Sequence, residues 1–244
     1  MTPNLLATLL NHLGGWVPSQ CAVCGTMQSD PICKHCQAAF SQTRWRCVRC
    51  ALRLASDLGQ CGECMTNPPP LDNCYAAVSY EFPWSKLVVD FKFRDQTAWA
   101  LSLATMMRDV SGVRQTLQEA DALVPVPLST ERLTERGYNQ ALLLAKVLAQ
   151  GPERALLATP IWASTLLRVK DTPPQSAQNR QQRLRNLNGT LVVDPLKTTQ
   201  VHGQNIVLVD DVMTTGASLY TAAKALRSAG AAQVSAVVFA RTEM

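Results

Sequence analysis

The sequence contains no run of 18 or more apolar residues among its 244. A helix that crosses a membrane needs about 20 of them, so no membrane span is expected. The N-terminal stretch is apolar, but it lacks the basic start and the Ala-x-Ala-like cleavage site of a signal peptide. We therefore expect the reducing cytoplasm as the compartment. Residues 1–18 are interpreted as an amphipathic helix, which Thr2 can cap and Gly14 can end.

Cysteine is also missing from most of the chain, because none of the nine follows Cys74. The first eight form four Cys-x-x-Cys pairs, separated by gaps of 8, 10 and 10 residues. Three prolines at positions 68–70 then form a stiff linker. We predict a small cysteine-rich domain over residues 19–70 and a second domain over residues 71–244. Cys74 stands alone and is expected to be a buried thiol.

Each Cys-x-x-Cys pair can present two thiolates to one metal ion, and two pairs complete a four-cysteine zinc site. The spacing therefore predicts two structural zinc sites in a double zinc ribbon. Sequential pairing is the simplest arrangement, and interleaved pairing stays open. Disulfides, a redox relay and iron–sulfur ligation are the less favoured alternatives. The predicted ligands are Cys21, Cys24, Cys33, Cys36, Cys47, Cys50, Cys61 and Cys64.

Beyond the linker, strand-like and helix-like segments alternate. The predicted strands are 73–82, 122–126, 165–169, 190–193, 205–209 and 234–240. The predicted helices are 84–93, 97–110, 139–150 and 217–229. Continuous apolar runs are typical of strands that are buried on both faces of a parallel sheet. The expected fold class is therefore α/β, with a parallel sheet flanked by helices.

The segment IVLVDDVMTTGAS, residues 206–218, ends a predicted strand on two adjacent carboxylates, Asp210 and Asp211. Neighbouring carboxylates at this edge of a sheet can accept hydrogen bonds from the vicinal hydroxyls of a ribose, and they can also lie near Mg²⁺. The helix that follows begins with unpaired backbone N–H groups, which suit a phosphate. Helix capping alone would explain the hydroxyls but not the carboxylates. The residues predicted to hold the phosphate are Thr214, Thr215, Gly216, Ala217 and Ser218.

This segment resembles the phosphoribosyl pyrophosphate (PRPP) motif of type I phosphoribosyltransferases. The four cysteine pairs, the segment VPVPL at 124–128, the segment RGYNQ at 136–140 and this motif together resemble the ComF/GntX family, over roughly residues 20–242. The resemblance implies a type I phosphoribosyltransferase-like domain preceded by a double zinc ribbon. It also implies Mg·PRPP as the ligand. The family is linked to DNA uptake and to the use of DNA as a nutrient.

The same resemblance assigns further PRPP-binding residues. Leu128 and Ser129 would offer backbone N–H groups to the diphosphate, since the prolines before them have none. Arg136 would grip the pyrophosphate, with a surface ion pair to Glu131 or Glu135 as the alternative. Residues 172–176 match a loop that closes over PRPP. The other positions that match the family are Lys92, Arg132, Asn139, Gln178, Arg183 and Asn186.

Two classes of function are consistent with this resemblance. The first is a phosphoribosyltransferase in which Asp210 and Asp211 are the catalytic residues, while Mg²⁺, Arg136 and the basic segment 168–185 stabilise the departing pyrophosphate. The alternative is a non-catalytic protein that binds single-stranded DNA through its cysteine-rich domain and the basic segment 168–185. Arg44, Trp45, Arg46 and Arg49 lie beside the second cysteine group, which comprises Cys47, Cys50, Cys61 and Cys64, and are suited to a single strand. Packing of Trp45 against the metal site is the alternative role for that ring. A scaffold that contacts a helicase or another DNA-uptake protein belongs to the same class. No residue pattern identifies an acceptor base.

Overall fold

The computed structural model describes residues 19–41, 44–150, 159–169 and 191–243. Contacts within the chain divide it into two compact units, Met1–Thr43 and Arg44–Met244. The boundary that the sequence predicts near residue 70 is a different division, and it stays a prediction. Several sequence-based predictions lie outside the described residues: the N-terminal helix, the loop 172–176, Gln178, Arg183 and Asn186.

In residues 19–41, the smaller unit contains a short antiparallel ribbon and one helix. Strand β1 (Ser19–Gln20) pairs with β2 (Met27–Gln28), and α1 (Lys34–Phe40) follows. Cys33 caps this helix, because its thiol sulfur accepts a hydrogen bond from the backbone N–H of Cys36 at 3.3 Å. The cap places two of the predicted metal ligands at one end of α1.

The larger unit is built around a parallel sheet. The described strands of the larger unit are β3 (Cys74–Ser79), β4 (Ala122–Pro125), β5 (Leu166–Arg168), β6 (Leu191–Val193), β7 (Asn205–Met213) and β8 (Gln233–Arg241). The described helices are α2 (Gly62–Thr66), α3 (Trp84–Phe93), α4 (Trp99–Arg108), α5 (Val113–Gln118), α6 (Thr130–Arg136), α7 (Gln140–Ala149), α8 (Thr198–Val201) and α9 (Ala217–Ser228). The parallel sheet has the order β3-β8-β7-β4, and β5 pairs with β6 in a separate antiparallel ribbon. This arrangement confirms the predicted fold class. No described helix has both the length and the apolar character needed to cross a bilayer.

Helices cover both faces of the parallel sheet. On one face, Trp84 of α3 meets Phe239 of β8 edge to face, with ring centres 6.0 Å apart. On the other face, α9 buries four residues at the spacing of a helical stripe, beside the second cysteine group. Full burial of one such leucine contributes about 1.5–3 kcal/mol to stability. The four residues are Leu219, Ala222, Ala223 and Leu226.

Two neighbouring strands lead to helices on opposite faces of the sheet. β4 pairs with β7 in parallel, and α7, which follows β4, packs with α4 against the sheet. α9, which follows β7, lies on the other face with the second cysteine group. In open α/β sheets, such a divergence opens a crevice at the carboxyl ends of the two strands, where ligands bind. The segments 124–129 and 210–218 both lie at this edge.

Asp72 connects three elements at the opposite edge of the sheet. Its backbone N–H donates to the carbonyl of Val234 at 2.9 Å, and its carboxylate accepts from the N–H of Val234 at 2.8 Å. The same carboxylate forms an ion pair with Arg227 near the end of α9. Asp72 therefore holds the start of β8 beside the segment that leads into β3.

We expect Asp72→Ala to lower the free energy of unfolding by about 1–2 kcal/mol, because the N–H of Val234 and the guanidinium of Arg227 lose their acceptor. The matched control is Asp109→Ala. Asp109 pairs with Arg114 on the surface, where the two side chains are 58% and 57% exposed. Loss of this pair should change stability by less than about 0.5 kcal/mol. Denaturant unfolding of both variants tests the difference, and equal losses would contradict the anchoring role.

Candidate functional site

Strand β7 runs through both aspartates and ends at Met213, beyond the predicted end at residue 209. The extension arises because β8 pairs with it as far as the Met213↔Arg241 position. Thr214 and Thr215 then form a turn, and α9 begins at Ala217. The predicted strand–turn–helix junction is therefore present, with the carboxylates on the last part of the strand.

Gly216 allows this turn to fold tightly onto its neighbours. It stands at the N-cap of α9 with a φ of 81°, which is a left-handed conformation that glycine adopts without strain. A Cβ atom there would lie 2.6 Å from Cε of Met213 and 2.6 Å from Cζ of Tyr220. The hydroxyl oxygen of Thr215 accepts from the N–H of Ala217 at 3.4 Å. The backbone N–H groups in the first turn of α9 have no partner inside the helix, because no helical carbonyl precedes them.

A pocket opens at the junction. It is lined by Asp210 and residues 212–219, so all five residues predicted for the phosphate face it. The start of α9 brings unpaired N–H groups and the positive end of the helix dipole to this pocket. Threonine and serine hydroxyls add further donors. An anion with several acceptor oxygens is the ligand that these groups match.

The two aspartates have different surroundings. Asp210 is half-buried on the pocket wall, whereas Asp211 is 5% exposed and forms an ion pair with Nζ of Lys92 at 2.9 Å. The backbone N–H of Asp211 donates to Oδ1 of Asp210 at 2.9 Å. Burial, followed by the charge of Asp211, raises the pKa of Asp210 to about 7, although Lys92 opposes the shift. Of the two predicted carboxylates, Asp210 lines the pocket, and Asp211 lies next to it with a neutralising partner.

Residues that follow β4 form the other side of the crevice. The hydroxyl of Ser129 caps α6 by accepting from the N–H of Arg132 at 3.3 Å. The side-chain oxygen of Asn139 caps α7, and its amide nitrogen donates to the carbonyl of Val126 at 3.1 Å. Both ends of the Asn139 carboxamide are thus engaged with backbone, so Asn139 shapes the crevice wall. Leu128, which precedes Ser129, is half-buried.

Arg136 is the cation of this wall that fits the predicted grip on a diphosphate. Its guanidinium lies 4.5 Å above the Phe93 ring, and one nitrogen donates to Gln140 at 3.2 Å. Burial lowers the pKa of Arg136, and the negative charge of Asp211 opposes this effect. Within the described residues it forms no ion pair with Glu131 or Glu135, which was the surface alternative. Arg132, by contrast, is exposed on α6.

The basic segment 168–185 contributes one described cation to this side. Arg168 on β5 donates to the carbonyl of Pro127 at 3.3 Å. This contact brings the start of the basic segment against the VPVPL segment. The remaining cations of the segment that could face a diphosphate lie outside the described residues.

The eight paired cysteines form two groups of four, Cys21/Cys24/Cys33/Cys36 and Cys47/Cys50/Cys61/Cys64. The structure therefore has the sequential pairing. Within each group the sulfur atoms lie within 4.8 Å of one another, and the Cys24–Cys33 and Cys50–Cys61 sulfurs are 3.8 and 3.7 Å apart. A tetrahedral zinc site with Zn–S bonds of about 2.3 Å has S–S edges of about 3.8 Å. Both groups fit zinc, and disulfide bonds, at about 2.05 Å, are excluded by these separations.

Arg241 contacts the turn, but no pattern in the sequence predicted a role for it. It is 2% exposed at the end of β8, and its guanidinium donates to backbone carbonyls, including that of Cys50 at 2.9 Å and that of Met213 at 3.2 Å. The signal in the sequence is a single charged residue that directly follows the apolar run 236–240. Such a charge is expected to be paired when it is buried, but the partners are distant in sequence.

Comparison with known proteins agrees with these features. The Phosphoribosyl transferase domain family matches residues 159–243, which contain β7, the turn and α9. The chain is 33% identical over 233 residues to the DNA utilization protein YhgH of Salmonella typhimurium, covering 93% of this chain and 98% of that protein. It is 32% identical over 210 residues to Competence protein F of Haemophilus influenzae, covering 83% and 87% of the two chains. Competence protein ComFC of Bacillus subtilis is 36% identical over 121 residues, or 49% of this chain and 44% of that protein.

The match to YhgH covers 93% of this chain and therefore extends over both the cysteine pairs and the sheet, so it concerns the whole arrangement and not the phosphoribosyltransferase motif alone. The relatives are about a third identical to this chain and are covered over most of their length. Because the chain also has a phosphoribosyltransferase-like domain after two groups of four cysteines, it belongs to the ComF/GntX family.

Proposed function

We propose that the protein binds PRPP, or a related ribose 5-phosphate, at the turn between β7 and α9. In this proposal it is a phosphoribosyltransferase-like protein that serves DNA uptake or the use of DNA as a nutrient, in the cytoplasm. The observation that carries the proposal is the pocket in which Asp210 and residues 214–218 share one wall. The names of the relatives, DNA utilization protein and Competence protein F, support the link to DNA.

The chemistry of the pocket is divided between its two ends. Residues 214–218 would hold the 5-phosphate with backbone N–H groups and hydroxyls. Asp210 would accept a hydrogen bond from a ribose hydroxyl. Asp211 would hold Lys92 next to the sugar through their ion pair. Across the crevice, Arg136 and the N–H groups of Leu128 and Ser129 would face the diphosphate. Mg²⁺, when bound with PRPP, would neutralise part of the diphosphate charge.

Transfer from such a complex would depend on charge placement more than on proton transfer. The bond between the anomeric carbon and pyrophosphate breaks as an acceptor nitrogen forms a bond to that carbon, and the carbon becomes positive in between. The carboxylate of Asp210 on the pocket wall and that of Asp211 next to it would stabilise this charge. Arg136 would stabilise the departing pyrophosphate. The proposal therefore assigns the two aspartates as catalytic residues.

Calorimetric titration of the zinc-loaded protein with PRPP, with and without Mg²⁺, tests binding. We expect saturable binding that Mg²⁺ strengthens, and a loss of at least about tenfold in affinity for Asp210→Asn/Asp211→Asn, because the ribose loses charged acceptors. Asp109→Asn is the control, since Asp109 lies on the surface in a pair with Arg114. Equal affinity in the double variant and the wild type would contradict the assigned site.

Pyrophosphate release across a panel of bases then separates an enzyme from a binding protein.

Binding of single-stranded DNA is the second candidate function. It is favoured by Arg44 and Trp45, which are both exposed beside the second cysteine group, with Trp45 at 54%. An exposed aromatic ring beside a cation can stack a base and neutralise a phosphate. A protein of this kind would bind an oligonucleotide with strong salt dependence and would retain this binding in Asp210→Asn/Asp211→Asn. Loss of both PRPP and DNA binding in that variant would place the two functions in one site.

The raised pKa of Asp210 predicts a specific pH dependence of stability. The folded protein holds a proton on Asp210 up to about pH 7, whereas the unfolded chain releases it near the ordinary value of 3.8. The stabilisation is therefore fully present below the unfolded value and is lost as the pH rises through about 7. Asp210→Asn removes this slope. As the pH rises from 5 to 8, the free energy of unfolding of the wild type should therefore fall by on the order of 1–3 kcal/mol more than that of the variant.

Urea unfolding of the wild type and Asp210→Asn at several pH values gives the comparison. The difference between the two curves isolates Asp210 from other titrating groups. A constant difference at all pH values would contradict the shifted ionisation.

We also propose that both cysteine groups hold structural zinc. The supporting observations are the sulfur separations and the backbone N–H groups that point at sulfur, such as the N–H of Cys33 at 3.3 Å from the sulfur of Cys21. Backbone N–H groups that donate to the sulfur atoms stabilise the thiolate form, which is the form that binds a metal cation. The second group is part of the same hydrophobic cluster as the sheet, so its metal would stabilise the larger unit directly.

Single cysteine variants should separate the two zinc sites. Cys47→Ser and Cys24→Ser are each expected to lower the zinc content from about two to about one per chain. Cys47 is fully buried in the cluster that contains the sheet, so its loss should destabilise the larger unit by about 3 kcal/mol or more. Cys24 is an exposed ligand in the other unit, so its loss should leave the sheet transition unchanged. Metal analysis and calorimetry test this, and equal effects on the sheet would contradict it.

A further inference from the structure

Arg241 joins the phosphate turn to the second cysteine group. Its Nε donates to the carbonyl of Cys50 at 2.9 Å, and Nη1 donates to the carbonyls of Met213, at 3.2 Å, and of Thr214. Cys50 is a member of the second group, and Met213 and Thr214 are the residues with which β7 turns into the pocket. One planar side chain thus spans the metal-binding loop and the turn.

The charge of Arg241 has no carboxylate partner within the described part of the chain. The side chain is nevertheless 2% exposed, and a buried cation without a counter-charge is unfavourable. A four-thiolate zinc site carries a net charge of about −2, because four thiolates outweigh one Zn²⁺. Binding of Zn²⁺ to the four thiols, with release of their protons, would therefore add negative charge near Cys50, whose carbonyl the guanidinium contacts.

A second contact path links the same two places. Tyr220 of α9 lies against Gly216, where a Cβ would approach its ring to 2.6 Å, and it also packs on the cluster that contains Cys50 and Cys64. Cys74 donates to the sulfur of Met213 at 3.6 Å within the same cluster. The residues on either side of the turn thus share one hydrophobic cluster with the second cysteine group, and Arg241 ties the turn to Cys50.

We propose that Arg241 is a positioning residue that holds the turn in its phosphate-accepting conformation by anchoring it to the second cysteine group. Metal in that group and a phosphate ligand in the turn then stabilise each other, as linkage requires of two coupled sites. This inference rests on the proposed function, because it assumes that the turn binds a phosphate. Arg241 would touch neither ligand nor metal, and it would act through the carbonyls of Met213, Thr214 and Cys50.

Release of zinc to a colorimetric chelator measures the coupling without any enzymatic activity. The wild type should release zinc in two phases, one for each group. Saturating Mg·PRPP should slow only one of them, by about tenfold, which lies within the usual range of coupling between sites. Cys24→Ser, which disables the first group at an exposed ligand, should retain the PRPP-sensitive phase. This variant identifies that phase as release from the second group.

Two variants remove the proposed link to different degrees. Arg241→Met removes the donors and the charge, and Arg241→Lys keeps the charge without the planar fork that reaches several carbonyls. Both should reduce the effect of PRPP on zinc release to less than about twofold and weaken PRPP binding about tenfold. The matched control is Arg108→Met, because Arg108 is half-buried and also donates to backbone carbonyls, those of Val147 and Leu148, on another helix. It should retain the full PRPP effect, whatever its cost in stability.

The outcomes distinguish this inference from the proposed function. If the wild type binds PRPP but neither phase slows, or if folded Arg241→Lys keeps the wild-type coupling, the role of Arg241 is overturned and the PRPP site stands. If the wild type binds no PRPP, the proposed function fails and this inference fails with it. Circular dichroism establishes that each variant is folded before zinc release is compared.

Discussion

The first backbone N–H groups of α9 have no partner within the helix, and the candidate site depends on their meeting an anion. The chain keeps these donors accessible in three ways. Strand β7 delivers the turn to the carboxyl edge of the sheet, and α7 and α9 diverge to opposite faces so that a crevice stays open there. Gly216 allows the turn to lie against Met213 and Tyr220 without filling the pocket. A ligand that satisfies the donors replaces water without any rearrangement of the helix.

The carboxylates beside these donors are the reason that the proposed ligand includes a sugar as well as a phosphate. Asp210 is held in the pocket wall with a raised pKa, and Asp211 is buried against Lys92. Two nearby acidic groups at the edge of a core are unfavourable for folding, and such groups are typical of sites where function opposes stability. Their presence next to the turn is explained if the sugar of the proposed ligand lies against Asp210, with Asp211 behind it. The same crevice offers Arg136 to a second anionic group on its opposite wall.

Local patterns in the sequence predicted the elements that are governed by local interactions. The helix 84–93 was predicted with the observed bounds, and the helical stripe of α9 and the apolar run of β7 were recognised from their periodicity. The continuation of β7 to Met213 was missed because it depends on pairing with β8, which is remote in sequence. The contact of the Asn139 amide with the Val126 carbonyl and the contacts of Arg241 were missed for the same reason, since backbone carbonyls carry no sequence signature. The short helices α5, α6 and α8 lack a full periodic stripe and escaped prediction.

A crystal structure of the zinc-loaded protein with Mg·PRPP tests the central claim most directly, because it locates each phosphate relative to the start of α9. We predict that the 5-phosphate oxygens lie about 2.7–3.2 Å from backbone nitrogens within residues 215–219. We also predict that a ribose hydroxyl lies within the same distance of the Asp210 carboxylate. A 5-phosphate bound elsewhere, with the donors of α9 facing only water, would contradict the claim.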